Sequence, residues 1–305
     1  MFENPFASIG DLSILASDLF AIIAPVFICA AIGYVWARRG MPFDNEFTTS
    51  LTSNIAFPCL IVATLARLEI SPEAFSQMAL AGLITVAATI AAAAAVLKLA
   101  GYSQPVYLPS LVFGNTGNIG LPLCLFAFGE EGLALAIVFF TVFLVIQFTF
   151  GIWVSAGHSS IRILLRTPLV WAALVGISLQ VLNIHLPIWI DNTIGLIGDL
   201  AIPLMLLTLG VSLAKLRVAS LGRSIALSAG RLAIGLAVGL AVAALLEMEG
   251  AARGILILES TMPVAVLNYL FAARYNRSPE EVAGLVLVST TISFVTLPGL
   301  LLLVL

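Results

Sequence analysis

The stretch FGNTGNIGLP, residues 113–122, decides how the whole chain is interpreted. It carries three glycines, two asparagines and a proline, whereas the sequence on both sides is dominated by alanine, leucine, isoleucine and valine. In a soluble protein such a run would be a surface loop. Between apolar segments of membrane-spanning length it predicts an interrupted helix, whose freed backbone groups must be buried in protein or face a water-filled cavity.

The composition is typical of a polytopic helical membrane protein. Of the 305 residues, 61% are hydrophobic and 10% are charged, and the mean hydropathy is +1.14. Soluble domains carry about 45–50% apolar and about 25% charged residues. The apolar runs are continuous and lack the period-two alternation of a transmembrane β-barrel. No basic run suggests nucleic-acid binding, and Cys29, Cys59 and Cys124 lie in apolar segments at spacings that indicate neither a disulfide framework nor a zinc site.

Ten apolar windows of about 20 residues predict ten transmembrane helices in an all-α fold. They cover approximately 18–37, 47–66, 74–97, 106–128, 132–156, 168–185, 192–213, 225–246, 254–273 and 282–304. The longest connection, GHSSIRILLRT at 157–167, is predicted to lie along the membrane surface. It separates a first five-helix repeat, residues 1–156, from a second one, residues 168–305.

The two halves repeat each other in sequence. The segment NIAFPCLIVATLA from Asn54 aligns without gaps with DLAIPLMLLTLGV from Asp199, and two further helix pairs align at nearly the same offset. The coinciding prolines are Pro58 with Pro203, Pro25 with Pro168, and Pro122 with Pro263. Because five helices is an odd number, the second copy must enter the membrane upside down. Such inverted repeats are typical of secondary transporters, whose sites form on interrupted helices near the membrane midplane.

The distribution of basic residues predicts the orientation. Cytoplasmic loops retain lysine and arginine preferentially. With ten helices, one face receives eleven of the thirteen basic residues, including Arg231 just inside the eighth helix, and only Arg67 and Arg253 fall on the other face. Both termini are therefore expected outside the cell membrane. The other ten residues of the basic face are Arg38, Arg39, Lys98, Arg162, Arg166, Lys215, Arg217, Arg223, Arg274 and Arg277.

The interruptions also place polar groups at membrane depth. Asn118 and Glu259 each precede a proline by four residues, which makes them equivalent positions of the two repeats. Asn54 and Asp199 are equivalent in the same way. An acid within a span is costly and indicates a functional site, and Asp199 and Glu259 are the acids expected well inside a span.

These considerations give two sets of candidate site residues. Half-helix N-termini suit a carboxylate, whereas unwound carbonyls and side-chain oxygens suit a cation. Packing roles for the glycines, a structural role for Asp199 and a position of Glu259 near the interface stay open as alternatives. The expected substrate-binding residues are Asn115, Thr116, Gly117, Asn118, Pro122, Pro263 and Asn268, and the expected cation-coupling residues include Glu259, Asp199, Asn118 and Ser260.

The motif GNTGN-x-G-x-P at 114–122, the ten-helix inverted repeat and ESTMP at 259–263 resemble the auxin efflux carrier family, which includes the plant PIN-FORMED carriers and bacterial permeases for small organic acids. The short link between the halves is similar to that of a bacterial member. The resemblance implies the fold of bile-acid/sodium symporters and sodium/proton antiporters, with the fourth and ninth helices crossed. It also implies an elevator-like movement of a transport domain against a scaffold.

The same resemblance suggests roles for individual residues. Asn115, Asn118 and Pro122 match the first half of the crossover, and Pro263 matches the second. Glu259 and Met262 are similar to the residues that hold sodium in bile-acid symporter relatives. This makes Glu259 and Asn115 candidate sodium ligands, and sodium the only cofactor considered.

We therefore expect a secondary transporter of a small organic anion, a carboxylate or auxin-like acid, in the bacterial inner membrane. Coupling to sodium is favoured over coupling to protons. A sodium/proton antiporter of the same fold and an uncoupled uniporter stay open as alternatives. An enzyme is not expected, because the sequence places no nucleophile next to a general base at membrane depth. The expected partners are the organic anion and the lipid bilayer, and a homodimer is left open.

Overall fold

The computed structural model describes residues 11–67, 71–157, 164–182 and 184–305, with side chains from residue 17 onward. Regular structure in these ranges is helical, apart from one isolated β-bridge. The helices that follow are numbered in chain order. They are α1 Asp11–Arg38, α2 Asn45–Arg67, α3 Pro72–Leu99, α4 Gln104–Val112, α5 Thr116–Ala156, α6 Pro168–Val181, α7 Ile188–Gly198, α8 Ala201–Lys215, α9 Leu221–Leu245, α10 Gly250–Ser260, α11 Val266–Arg274 and α12 Pro279–Val304.

Seven described helices are long and apolar enough to cross a membrane, which confirms a polytopic helical membrane protein. They are the segments Ser17–Arg38, Asn45–Arg67, Pro72–Leu99, Thr116–Ala156, Ile188–Lys215, Leu221–Leu245 and Pro279–Val304. The fourth of these is 41 residues long and contains the non-helical Gly129, at φ 68° and ψ −162°. Gly129 falls between two of the predicted windows. The remaining windows correspond to α6, which is shorter, and to the interrupted pair α10 and α11.

The number of ten crossings and the division into two repeats stay predictions. Most of the predicted surface linker, including Arg162, lies outside the described residues.

The described helices pack as two groups. In the first group, α1 packs along α8, while α2 packs against both α6 and α7. In the second group, α3 packs against α4 and α5, and α9 packs against α10 and α12. Helix α5 provides most of the contact between the two groups, since it packs against α1 and α2 and its first residues pack against α8. This arrangement leaves room for a cavity along the boundary between the groups.

The closest helix contact in the first group depends on two glycines. A Cβ atom on Gly33 would collide with the Leu207 carbonyl oxygen of α8, and one on Gly210 would collide with the Ala30 carbonyl oxygen of α1. Small residues at such positions let helix backbones approach closely, and the resulting packing is a main source of association in lipid. The reciprocal pair therefore holds α1 and α8 together.

Replacement of Gly210 by alanine is expected to destabilise the protein. The added methyl group must displace the backbone of α1, and overpacking of this kind costs about 1–3 kcal/mol. The apparent melting temperature of the purified protein in detergent measures the effect. Gly299→Ala is the matched control, because a Cβ atom at Gly299 of α12 meets nothing within 4 Å. Equal melting temperatures for the two variants would show that the α1–α8 contact does not need a glycine.

Candidate functional site

The two interrupted helices meet at their breaks. Gly114, between α4 and α5, forms an antiparallel bridge with Val264, between α10 and α11. The amide of Asn115 donates a hydrogen bond to the Pro263 carbonyl oxygen over 2.6 Å. The C-terminal ends of α4 and α10 and the N-terminal ends of α5 and α11 thus come together at one place, called the crossover below.

Asn268 of α11 locks the crossover from one side. Its Nδ2 donates to the Phe113 carbonyl oxygen over 2.8 Å, and its Oδ1 accepts from Nε2 of Gln147 over 3.3 Å. The amide of Ala265 donates a second bond to the Phe113 carbonyl oxygen over 3.2 Å. The Asn268 side chain is 3% exposed. Its amide is therefore occupied by structural hydrogen bonds, and Asn268 is not among the residues that line the main cavity.

Glu259 lies in the last turn of α10 and is fully buried. Its Oε1 lies 3.6 Å from the Sγ atom of Cys124, and its Oε2 has no hydrogen-bond partner among the described residues. Gly120 of α5 lies so close that any side chain there would collide with the carboxyl group. Glu259 is thus enclosed by protein on all sides. A buried carboxylate without a partner must be neutralised by a proton or by a cation.

The main cavity has a volume of about 500 Å³ and lies between the two helix groups. Asn115, Thr116, Gly117 and Asn118, four of the predicted substrate-binding residues, form one wall of this cavity. The Nδ2 atom of Asn115 has no hydrogen-bond partner in the described structure. Further lining comes from aromatic side chains, from polar side chains and from two basic side chains. The lining includes Phe57, Phe140, Phe148, Gln147, Arg166, Lys215 and Val266.

The basic lining residues Arg166 and Lys215 mark the end of the molecule on which this cavity opens. Arg166 lies just before α6 and Lys215 ends α8. Both side chains are exposed. The cavity lining, as described, contains no aspartate or glutamate. The wall therefore carries positive charge without a compensating acid.

The other predicted site residues lie outside the cavity lining. Pro122, six residues after the start of α5, and Pro263, whose carbonyl oxygen accepts the Asn115 bond, lie at the breaks. Ser260 is 3% exposed and its hydroxyl donates to the Ile257 carbonyl oxygen, while Met262 is fully buried. These residues build the crossover rather than the cavity surface.

Asp199 lies in a second cavity, of about 440 Å³, in the turn between α7 and α8. The lining of this cavity includes Glu130 and Arg67, and Arg67 forms a salt bridge of 2.9 Å with Asp191. Glu259 is not among its lining residues. The two acids predicted for cation coupling are therefore not brought into one pocket.

Arg231 is the functional candidate that the sequence interpretation missed. Placed by sequence near a helix end, it is 1% exposed and reaches the crossover from α9. Its Nη1 donates to the Ser260 carbonyl oxygen over 3.1 Å, and its Nε has no partner among the described atoms. The available signal was GRLAIGLAVG at 230–239, where Arg231 shares a helix face with Gly235 and Gly239.

Comparison with known proteins shows that the protein is a membrane transporter. The chain is 26% identical over 292 residues to an uncharacterized transporter of Methanothermobacter thermautotrophicus, covering 90% of this chain and 95% of that protein. It is 26% identical over 196 residues to the uncharacterized transporter MJ1031 of Methanocaldococcus jannaschii, covering 61% of this chain and 64% of that protein.

A further match concerns the second half of the chain. The family model described as membrane transport protein matches residues 152–301. This match supports the resemblance to the auxin efflux carrier family, and of the two motifs that carry the resemblance it covers ESTMP at 259–263.

Replacement of Asn268 by alanine is expected to lower the apparent melting temperature in detergent. The Gln147 amide would lose its partner, at a cost of about 1–3 kcal/mol for an unsatisfied buried group, and the Phe113 carbonyl oxygen would keep only its bond from Ala265. Asn54→Ala is the matched control, because Asn54 is exposed and its hydrogen bonds among the described residues go to Ser50 of its own helix. A variant Asn268→Ala as stable as Asn54→Ala would contradict the structural role.

Proposed function

We propose that the protein is a secondary transporter of a small organic anion, which binds in the cavity of about 500 Å³. One observation carries this proposal: the charged side chains of the described cavity lining are Arg166 and Lys215, and no acid accompanies them. The positive charge is expected to speed the entry of an anion, because a cleft lined by charge of one sign raises the local concentration of ions of the opposite sign.

The crossover supplies groups that would hold a carboxylate. The N-terminal end of α5 begins at Thr116, in the cavity wall, and a helix N-terminus offers backbone amides and a partial positive charge. The unpartnered Nδ2 of Asn115 is a further donor, and Asn118 and Gln147 lie in the same lining. These donors favour a carboxylate over a cation as the main ligand.

Aromatic residues of the cavity favour an apolar body on the substrate. The rings of Phe57 and Phe140 lie 5.1 Å apart, and Phe140 also packs against Gly117. Phe148 lines the same cavity. Ligand sites of this size are usually mostly apolar with a few polar groups that orient the ligand. The substrate class proposed is therefore an amphipathic monocarboxylate, which includes auxin-like acids.

Alternating access by an elevator movement fits the packing of the two helix groups. The repeats pair α1 with α6 and α2 with α8 by their aligned prolines, and the contact of α1 with α8 has its counterpart in the contact of α6 with α2. The crossover belongs to the second group, while the first group supplies the facing wall through α2 and α8. Sliding of one group against the other would expose the crossover to the opposite side.

Cation coupling is proposed at Glu259. Its Oε2 lacks a partner and its carboxyl group lies against the first turn of α5, so a monovalent cation or a proton held there would act on the same half-helix that lines the cavity. We favour sodium, as the resemblance to sodium-coupled transporters of this fold suggests. With the face that carries most of the basic residues in the cytoplasm, both termini lie on the outer side of the cell membrane.

Two alternatives from the same transporter class are tested together with the proposal. A sodium/proton antiporter would need acids acting on one ion, but Glu259 and Asp199 do not share a described cavity. An uncoupled uniporter is favoured by the separation of Glu259 from the cavity lining. A thermal-shift screen of small carboxylates, with and without sodium at two pH values, followed by uptake into proteoliposomes, separates these alternatives from a coupled symporter.

Arg166 and Lys215 are the exposed charges of the cavity lining and are called the entrance here. Removal of these two charges is expected to weaken anion binding. The double variant Arg166→Gln, Lys215→Gln should lower the affinity for phenylacetate about threefold to tenfold at low ionic strength, with a smaller loss at high salt, since exposed charges are screened. Isothermal titration calorimetry at two salt concentrations measures this. Arg217→Gln is the matched control, because Arg217 is exposed and does not line the cavity. An unchanged affinity in the double variant would argue against anion attraction by the entrance.

Replacement of Glu259 by glutamine is expected to remove ion dependence. The amide keeps the shape of the side chain and is neutral without a bound ion, so uptake should no longer respond to sodium or to pH. Proteoliposome uptake of phenylacetate under imposed gradients is the measurement. Asp199→Asn serves as the comparison, because Asp199 lies in the other cavity. If Glu259→Gln keeps the wild-type response to both ions, Glu259 is not the coupling residue.

A further inference from the structure

Arg231 lies in the middle of the described protein rather than at its surface. It belongs to α9, and Gly235, one turn later, gives its guanidinium room beside the Ser260 carbonyl oxygen. A Cβ atom on Gly235 would collide with that oxygen and lie 2.7 Å from Nη1 of Arg231. A buried arginine is expensive and is retained in membrane proteins chiefly where it has a role.

The guanidinium of Arg231 lies beside the backbone of Gly114, on the protein side of the main cavity. Gly114 is part of the cavity lining, and a side chain at this position would collide with Nη2 of Arg231. Arg231 itself is not a lining residue. The positive charge thus lies directly behind the wall that carries Asn115 and Thr116.

The charge has no acidic partner in the described structure. The two ion pairs found there involve Arg67 and Arg223, and the carboxyl group of Glu259 lies against Gly120 and Cys124 of α5. A guanidinium keeps its proton inside proteins. The field of Arg231 is therefore available to the cavity, and it acts across protein of low dielectric constant, where a charge is felt more strongly than in water.

We propose that Arg231 sets the preference of the cavity for anions by holding a fixed positive charge behind Gly114, without touching the substrate. This role rests on the proposed function and extends it, since it makes charge selectivity depend on a buried residue as well as on the exposed entrance. A purely structural role is the competing explanation, because Nη1 also caps the carbonyl oxygen at the end of α10.

The test measures the electrostatic potential of the cavity without any substrate. A cysteine replaces Val266, a partly exposed lining residue at the start of α11. The protein in detergent reacts separately with 2-sulfonatoethyl methanethiosulfonate, which is anionic, and 2-(trimethylammonio)ethyl methanethiosulfonate, which is cationic. Mass spectrometry gives the rate of modification at residue 266. The anion-to-cation rate ratio, divided by that of a free thiol, reports the potential.

Arg231→Lys and Arg231→Gln form the decisive pair in the Val266→Cys background. Both side chains are shorter than arginine and both can donate to the Ser260 carbonyl oxygen, but only lysine is charged. Glutamine is expected to lower the rate ratio about tenfold or more, whereas lysine keeps most of it. Equal ratios in the two variants, or a wild-type ratio no higher than that of a free thiol, would overturn the proposal.

A second variant decides the question if Arg231→Gln does not fold. Arg166→Gln with Lys215→Gln removes the charges at the entrance, where both side chains are exposed. With Arg231 intact, the ratio at residue 266 is expected to stay above that of a free thiol, and a fall to the free-thiol value would overturn the role of Arg231. Because no substrate is used, failure of phenylacetate to bind would count against the proposed function alone.

Discussion

The backbone hydrogen bonds between the two breaks are the constraint on which the rest of the structure depends. A membrane helix that contains GNTGNIGLP loses part of its internal bonding, and each unsatisfied backbone group in lipid costs several kcal/mol. Here the freed groups satisfy one another: the Asn115 amide reaches the Pro263 carbonyl, and the Ala265 amide reaches the Phe113 carbonyl. Neither interruption would be stable without the other. The chain can therefore carry helix breakers at membrane depth only because it carries them twice.

The breaks themselves could be predicted from sequence, because glycine, proline and asparagine act on the backbone within a few residues. The same holds for Thr116, Gly117 and Asn118, whose place in the cavity wall follows from their place in the break. The occupation of Asn268 could not be predicted, since its partners Phe113 and Gln147 are more than a hundred residues away. A polar side chain near the crossover either forms hydrogen bonds within it or is available to a ligand. Which of the two applies depends on residues that are distant in the sequence.

Arg231 shows a second reason why sequence interpretation stops short. Its distance from the end of α9 suggested a side chain close to the basic face, where a long arginine can extend to water. In the structure the side chain is buried instead, because Gly235 on its own helix and Gly114 in the break between α4 and α5 leave space for a guanidinium. The absence of a side chain at two distant positions creates this site. The local pattern at 230–239 shows Gly235 beside Arg231, but it contains nothing about Gly114.

The separation of the charged groups constrains how substrate and cation would influence each other. Glu259 faces the first turn of α5 and does not line the cavity, so a cation there would not touch an anion bound at Asn115 and Asn118. Coupling requires that each ligand changes the binding free energy of the other. The element that both would contact is the start of α5, which runs from the cavity wall at Thr116 to the carboxyl group beside Gly120. If both ligands bind as proposed, a shift of this single turn would be the physical link between the two sites.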